Sequence, residues 1–121
     1  KKEEIIKKYK KKIIFDNIKF THTIENKYIF PETKVFLKSH TVCGHSHTQF
    51  KKKIENNWLI NPGSLGQNRK NINILQFGIL NTKTLEVDFF STKYDVKILI
   101  NEMIAKKYPK ECLDYYLNKI L

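Results

Sequence analysis

The apolar residues of this chain fall into seven short runs, most of them separated by polar residues. A short run that is apolar throughout, or at every second position, is typical of a β-strand. Polar pairs between neighbouring runs, such as Asp16-Asn17 and Asn56-Asn57, suit tight turns and predict hairpins. The runs are residues 13–15, 18–22, 41–43, 48–54, 58–60, 72–80 and 85–89.

Other segments carry patterns that favour helices. Residues 1–12 place apolar side chains on one side and lysines on the other, which predicts a short helix. Pro31 can open a helical turn over residues 31–38, because its missing N–H is harmless at a first helical position. Apolar residues at helical spacing predict two closing helices, one on each side of Pro109. These apolar positions are Val96, Leu99, Ile100, Met103 and Ile104, then Cys112, Leu113, Tyr116, Leu117 and Ile120.

The order of elements predicts an α/β fold with mostly antiparallel strands and two C-terminal helices. A chain of 121 residues is a usual size for one domain, so residues 1–121 are expected to form a single folding unit. With 40% hydrophobic residues, the chain can bury a core.

The formal net charge of +11 raises the alternative of a basic nucleic-acid-binding module. Nucleic-acid readers usually rely on arginine for bidentate contacts, whereas Arg69 is the single arginine of this chain. The lysines are spread along the sequence, so a nucleic-acid partner is disfavoured. The charge could still attract an anionic substrate.

Cys43 and Cys112 are far apart and form no Cys-x-x-Cys motif, which argues against a thiolate zinc knuckle or a redox site. A reducing, cytoplasmic location is therefore expected. No apolar run approaches the roughly 20 residues that a membrane span needs, and no signal peptide is recognisable. The chain begins without Met, so it could be part of something longer.

The segment over residues 42–47 is the strongest candidate for chemistry, since it places His45 and His47 two positions apart. In an extended segment these side chains point to the same side, with α-carbons about 6.6 Å apart. One imidazole could bind each of two metal ions about 3.5–4 Å apart, or both could bind a single ion. On spacing alone, they could also be ordinary polar residues of a loop.

The wider pattern resembles the calcineurin-like metallophosphoesterase superfamily, in its small bacterial and archaeal branch. That family ends its metal-binding motifs with Gly-His-(Ser/Thr)-His after a short apolar strand, as in residues 42–47. A hairpin then leads to Asn-Pro-Gly-Ser, matched by residues 61–64, and Tyr94-Asp95 falls where members often carry that dipeptide. The resemblance covers nearly the whole chain from about residue 13 onward.

The resemblance implies that His45 binds one metal ion and His47 the other. A third histidine normally precedes them within a His-Gly pair at a strand end. His22 occupies that place and is the third candidate ligand, although Thr23 stands where the family has glycine. His40 has no counterpart among the ligands and is expected at the surface or at a helix end.

Asn61 and Arg69 are the candidate catalytic residues. Asn-Pro-Gly is good turn chemistry in its own right, and the resemblance suggests that this loop lies beside the metal site. Arg69 could offer its planar fork to a phosphate, or to a carboxylate that holds the loop.

The family takes its other ligands from an amino-terminal half, through Asp-x-His, Gly-Asp-x-x-Asp and Gly-Asn-His-(Asp/Glu) motifs that this sequence does not contain. The chain is thus expected to be the carboxy-terminal half of a four-layer α-β-β-α sandwich, with the missing half supplied in cis or in trans. That half would add the bridging aspartate and the histidine that assists the leaving group.

The implied function is hydrolysis of a phosphomonoester or phosphodiester by a metal-bridging water. It would use two divalent ions, manganese first, with iron, zinc or nickel as alternatives. This chain alone is expected to be incomplete as an enzyme. A degenerate half that serves as a scaffold or binding subunit is the other alternative.

Overall fold

Seven strands and two helices form within residues 9–121, which are the residues that the computed structural model describes. The α/β class predicted from the sequence is confirmed. The strands are β1 (Lys12–Phe15), β2 (Ile18–Thr21), β3 (Thr41–Cys43), β4 (Phe50–Ile54), β5 (Asn57–Asn61), β6 (Ile74–Leu80) and β7 (Val87–Lys93). The helices are α1 (Lys97–Ala105) and α2 (Lys110–Leu117).

Turn chemistry sets the hairpins. Asp16 and Asn17 have φ values of 47° and 61°, a left-handed conformation that these residues tolerate and that joins β1 to β2. The β4–β5 turn lies one residue earlier than predicted, because Asn57 already pairs with Ile54. The Asn57 side chain also donates to Leu37 O at 2.9 Å, which fixes it within the strand.

The larger sheet has the order β1-β2-β3-β5-β4 and is mixed. β2 and β5 both run parallel to β3, whereas β1 and β4 pair antiparallel at the edges. The mostly antiparallel arrangement predicted from the sequence therefore does not describe the centre of this sheet. Parallel neighbours need a crossover connection. Residues 22–40 connect β2 to β3, and the segment that contains β4 connects β3 to β5.

The segment over residues 31–38 is not the predicted helical turn. Thr33 N–H donates to Phe30 O at 3.0 Å, while the Thr33 hydroxyl accepts from Phe30 N–H at 2.9 Å, which closes a local turn. Such side-chain bonds compete with helix formation. The rest of the segment is irregular and buries Leu37. The predicted helix over residues 1–12 lies mostly outside the described residues, and Lys12 begins β1.

Two apolar clusters stabilise the fold. The first lies against the larger sheet and consists of Ile24, Ile29, Leu37, Cys43, Phe50 and Leu59. The second joins Ile72 to Val96 and Ile100 of the α1 region, with Leu113 of α2 packed against it. The end of the chain is fixed there as well, since Leu121 N–H donates to the Asn73 side chain at 3.0 Å.

Two regions expose apolar side chains. β1 presents Ile13, Ile14 and Phe15 to solvent, and the β6–β7 ribbon exposes Ile79 and Phe90. Phe77 and Phe90 stack across the ribbon with ring centroids 5.0 Å apart. No helix within residues 9–121 combines the length and the apolar character needed to cross a membrane.

Candidate metal centre

The three parallel strands end at one edge of the larger sheet, and a candidate site residue stands at each end. His22 follows β2, residues 44–47 follow β3, and Asn61 is the last residue of β5. The first two are joined directly, because Gly44 N–H donates to His22 O at 3.2 Å. Ligands of open α/β sheets bind at the carboxyl ends of the strands, so the topology gathers these residues where a ligand would bind.

Residues 44–47 form a tight turn, whereas the sequence argument assumed an extended segment. Ser46 N–H donates to Gly44 O at 2.8 Å, and His45 and His47 have φ values of 67° and 56°. A left-handed backbone costs a residue with a side chain about 1–2 kcal/mol, so other contacts must hold the turn. The extended backbone from which the sequence argument placed both imidazoles on one side is therefore wrong for this segment.

Two buried polar side chains hold this turn, Ser46 within it and Asn61 from β5, and both are 0% exposed. The Ser46 hydroxyl donates to Ile29 O at 2.6 Å. The Asn61 amide donates to Gly44 O at 3.1 Å and to the Ser46 hydroxyl at 3.0 Å, and its oxygen accepts from Gly63 N–H at 3.0 Å. Asn61, predicted as a candidate catalytic residue, is buried by the structure in a positioning role under the histidine turn.

His22 and His45 face each other at the rim of the site. His45 Nδ1 lies 3.0 Å from His22 Nε2, and the rings are nearly perpendicular with centroids 4.8 Å apart. Burial lowers the pKa of His45, and the nearby charges of His22, His47 and Arg69 lower it further. A neutral imidazole keeps a lone pair for a metal ion, so this environment favours the form of His45 that can bind one.

His47 has its ring tautomer fixed by one hydrogen bond. Its Nδ1 lies 2.7 Å from Gln67 O. Because a carbonyl oxygen can only accept, Nδ1 must carry the proton, and the neutral ring then has its lone pair on Nε2. A hydrogen bond of this kind to the second ring nitrogen is what metal-binding histidines usually have.

The loop after β5 places that carbonyl group. The Ser64 hydroxyl accepts from Gln67 N–H at 2.9 Å, which orders the backbone beside His47. Gly63 has φ of 90°, and a Cβ atom there would lie 2.5 Å from Gln76 Cβ, so the loop can pack against β6 only with glycine at this position. The predicted turn chemistry of this loop is thus combined with close packing that the sequence did not reveal.

An aromatic and cationic stack begins at His45 and reaches the C-terminal helix. Tyr28 stacks on His45 with centroids 4.0 Å apart, and the Arg69 guanidinium carbon lies 5.6 Å from the Tyr28 centroid. The pKa of Tyr115 is lowered, first by a hydrogen bond with Lys119 and then by Arg69. Tyr28 was missed by sequence reasoning, since it lies in a stretch without periodicity.

Arg69 takes part in none of the ion pairs found within the described part of the chain. The alternative in which it binds a loop-holding carboxylate therefore has no support there. Arg69 instead lines a cleft of about 280 Å³ together with His47, Lys70 and Asn71. His45 does not line this cleft, and its nearest histidine partner is His22.

Histidine predominates at this edge of the sheet. Over residues 9–121, no group of three or more His, Cys, Asp or Glu side chains is arranged to hold a metal ion. What the structure brings together is the pair of His22 and His45, with His47 on the cleft side of the turn.

His40 and the lysines of β4 have structural contacts elsewhere. His40 Nδ1 accepts from Trp58 N–H at 3.0 Å, so His40 stabilises β5. This structural contact agrees with the expectation that His40 is not a metal ligand. Lys51 lies over the Trp58 ring at 4.3 Å and donates to Leu85 O at 2.7 Å, and Lys52 donates to Pro31 O at 2.6 Å. These charges connect parts of the fold, which leaves fewer of them for a nucleic-acid surface.

Comparison with known proteins places these observations in a family. The sequence model of the calcineurin-like phosphoesterase superfamily domain matches residues 3–85. An uncharacterized protein from Methanocaldococcus jannaschii is 30% identical over 118 residues, which cover 83% of this chain and 49% of the relative. The chain therefore spans about half the length of the curated relative that it matches.

Two solved structures share the fold. A hypothetical protein from Pyrococcus horikoshii OT3 matches with a TM-score of 0.79 at 15% identity, over 93% of this chain and 52% of that one. A metallophosphoesterase from Sphaerobacter thermophilus matches with a TM-score of 0.72 at 13% identity, over 97% of this chain and 62% of that one. At such low identity the likeness shows the fold.

Proposed function

Because this chain belongs to the calcineurin-like phosphoesterase superfamily, we propose that it carries the histidine ligands of a metal-dependent phosphoesterase site. The reaction is hydrolysis of a phosphomonoester or a phosphodiester. The observation that carries the proposal is the pair of His22 and His45 at the carboxyl ends of parallel strands, with His47 Nε2 available on the other side of the same turn.

The nitrogen positions fit metal binding. Two imidazole nitrogens on one ion, each about 2.0–2.1 Å from it, lie about 3.0–3.4 Å apart at ordinary ligand angles. His22 Nε2 and His45 Nδ1 are 3.0 Å apart, so an ion in place of their shared proton would suit both rings. His47 Nε2 is available for a second ion.

The donor set supplies only the neutral part of such a site. Imidazoles alone suit zinc or nickel, whereas manganese and other hard ions prefer oxygen ligands. A site with two divalent ions, manganese first and iron, zinc or nickel as alternatives, would therefore need carboxylates from the missing amino-terminal half, in cis or in trans. These negative ligands would also offset the charge of two close dications.

Bound divalent ions supply Lewis-acid activation of water and of the phosphoryl group. The residues of this chain would orient the metal-binding histidines and the phosphate of the substrate. Gln67 O and Ser64 hold the His47 ring, and Asn61 holds the turn that carries both histidines. Arg69, with no carboxylate partner among residues 9–121, would offer its planar fork to a phosphate group of the substrate.

The proposed architecture is the carboxy-terminal part of a four-layer α-β-β-α sandwich. The exposed apolar side chains of β1 and of the β6–β7 ribbon support this proposal, because such surface is normally covered by a partner layer. Both cysteines are free, which fits the reducing, cytoplasmic location proposed here.

A scaffold or binding subunit is the second candidate. The lack of a three-ligand acidic or mixed group within residues 9–121 favours it, as does the exposed apolar surface. Such a subunit would bind the same partner half without supplying working metal ligands.

The test is manganese-dependent hydrolysis of a generic aryl phosphodiester by the chain together with a segment that carries the missing ligands. His47→Ala should lower turnover by at least about 100-fold, since loss of even an outer-shell partner costs 10–100-fold. His40→Gln is the matched histidine control and should remain close to wild type. Complex formation without hydrolysis would favour the scaffold, and a fully active His47→Ala variant would refute the proposed role of His47.

A further inference from the structure

We propose that the cleft beside His47 binds a second phosphate group of the substrate, so that preferred substrates are phosphoesters whose leaving alcohol itself carries a phosphate. This inference rests on the proposed function, because it places the reacting phosphoryl group at the histidines. The cleft of about 280 Å³ is contiguous with that site through His47.

The charge of the cleft favours an anion. Arg69 and Lys70 both line it, and none of its lining residues is Asp or Glu. The ion pairs formed among residues 9–121 include neither of these two cations. Their charge is therefore not neutralised by a described carboxylate, and an anionic ligand would supply the counter-charge.

The loop that carries both cations is held in place before any ligand binds. The Asn68 side chain is buried, and its oxygen accepts from Lys70 N–H and Asn71 N–H, each at 3.0 Å. Its amide donates to the Gln76 side chain at 2.9 Å, which anchors the loop on β6. The Arg69 guanidinium lies over Tyr28. A fixed cationic loop loses little conformational freedom when a ligand binds.

The remaining lining explains why the second group is a phosphate rather than an apolar or aromatic one. Ile74 is the single aliphatic residue of the lining, and every other lining residue carries a polar or charged group that can reach a ligand. The volume lies just below the roughly 300–1,000 Å³ of sites for drug-sized ligands, so the group is small. An arginine fork and a lysine ammonium approaching from one loop match the several acceptor oxygens of a phosphate.

The first test uses the metal-free, ¹⁵N-labelled chain in the presence of a chelator, titrated with inorganic phosphate at constant ionic strength. Saturable shifts are expected at the amides of Thr48, Lys70 and Asn71. Lys70→Ala should weaken phosphate binding about two- to fivefold, as expected for one exposed charge contact. Lys83→Ala is the matched control, because the Lys83 side chain is 83% exposed at the far end of the ribbon. Lys83→Ala should leave phosphate binding unchanged.

The second test compares kcat/KM for propanediol bisphosphate and propyl phosphate once the chain is joined to the segment with the missing ligands. The bisphosphate should be preferred, and Lys70→Ala should reduce that preference while Lys83→Ala preserves it. Saturable phosphate binding without any hydrolysis would overturn the proposed function and leave the cleft assignment standing. Non-saturable shifts, equal effects of the two lysine variants, or no preference for the bisphosphate would overturn the cleft assignment.

Discussion

The turn over residues 44–47 and the β6–β7 ribbon are built in opposite ways. The turn is held by two fully buried polar residues, Ser46 within it and Asn61 from β5. Within residues 9–121, no buried side-chain nitrogen or oxygen lacks a hydrogen-bond partner. The ribbon instead exposes large apolar side chains. Phe77, Ile79 and Phe90 share one face, since Phe77 pairs with Phe90 and Ile79 lies two residues further along β6.

This difference indicates which part of the fold is self-sufficient. The turn carries two left-handed histidines, and its own buried hydrogen bonds offset their cost. The ribbon gains some internal stability from the stacked pair Phe77 and Phe90, but its exposed apolar face gains more only from a partner. The chain thus combines a histidine turn that its own buried hydrogen bonds hold with a ribbon whose apolar face is open to a partner.

Replacing Asn61 should produce the largest effect on stability. Asn61→Ala removes three hydrogen bonds at a fully buried position, leaves Gly63 N–H without its partner, and leaves Gly44 O with Ser46 N–H alone. We expect a loss of about 3 kcal/mol in the free energy of unfolding, measured by urea denaturation. Asn101→Ala, at an exposed position of α1, should change it by less than about 0.5 kcal/mol. Equal effects of the two variants would contradict the role given to Asn61.

Gly63 should be the next most sensitive position. Gly63→Ala places a Cβ atom 2.5 Å from Gln76 Cβ at a φ of 90°, so we expect a loss of about 1–3 kcal/mol. Gly66 is the matched control, because a Cβ atom there meets nothing within 4 Å. Gly66→Ala should be neutral or stabilising by up to about 1 kcal/mol. Thermal unfolding of both variants measures the difference, and similar melting temperatures would show that the loop does not need glycine at Gly63.

The ribbon should respond in association rather than in stability. Ile79 is 61% exposed, so Ile79→Thr should change the free energy of unfolding by less than about 0.5 kcal/mol. It should nevertheless reduce self-association of the isolated chain in sedimentation velocity, because it interrupts the apolar face. Ile104→Thr tests an isoleucine of similar exposure, 57%, on α1. If Ile104→Thr reduces association equally, the ribbon is not the surface through which the chain associates.

The smallest expected effect is a pH dependence from His45. Its pKa is lowered in the folded state, chiefly by burial, so the unfolded chain binds the proton more readily. The stabilising contribution is fully present above the unfolded-state pKa of about 6.5 and is lost as the pH falls through the lower folded-state pKa. Stability of the metal-free chain should therefore decline as the pH falls below about 6.5. His45→Gln should remove part of this decline, and an unchanged pH profile would contradict the shift.

Local patterns predicted the elements well where the structure is determined locally. Asp16-Asn17 marks a turn through the conformations that its own residues tolerate, and the two closing helices follow from their apolar spacing. The pairing of β3 with β2 and β5 could not be obtained this way, because parallel partners are far apart in sequence. The helical turn predicted after Pro31 does not form, because the Thr33 hydroxyl accepts the Phe30 N–H and closes a local turn instead.

The sequence motifs identified the histidines of the site, but not the residues that hold those histidines in place. His22, His45 and His47 stand out in the sequence, whereas the left-handed turn depends on buried bonds from Ser46 and Asn61. Ser46 lies between the two histidines, and that position was its only signal. Tyr28 reaches His45 through tertiary packing of an irregular segment.

The function proposed for this chain is to hold the histidine half of a phosphoesterase site. The most direct test is the hydrolysis of an aryl phosphodiester with manganese by the purified chain. It is assayed alone and then with a segment bearing the Asp-x-His and Gly-Asp-x-x-Asp motifs, supplied in cis or in trans. We predict that the chain alone binds divalent metal weakly and shows no turnover. The added segment should restore tight metal binding and hydrolysis. Robust manganese-dependent hydrolysis by the isolated chain would contradict the account.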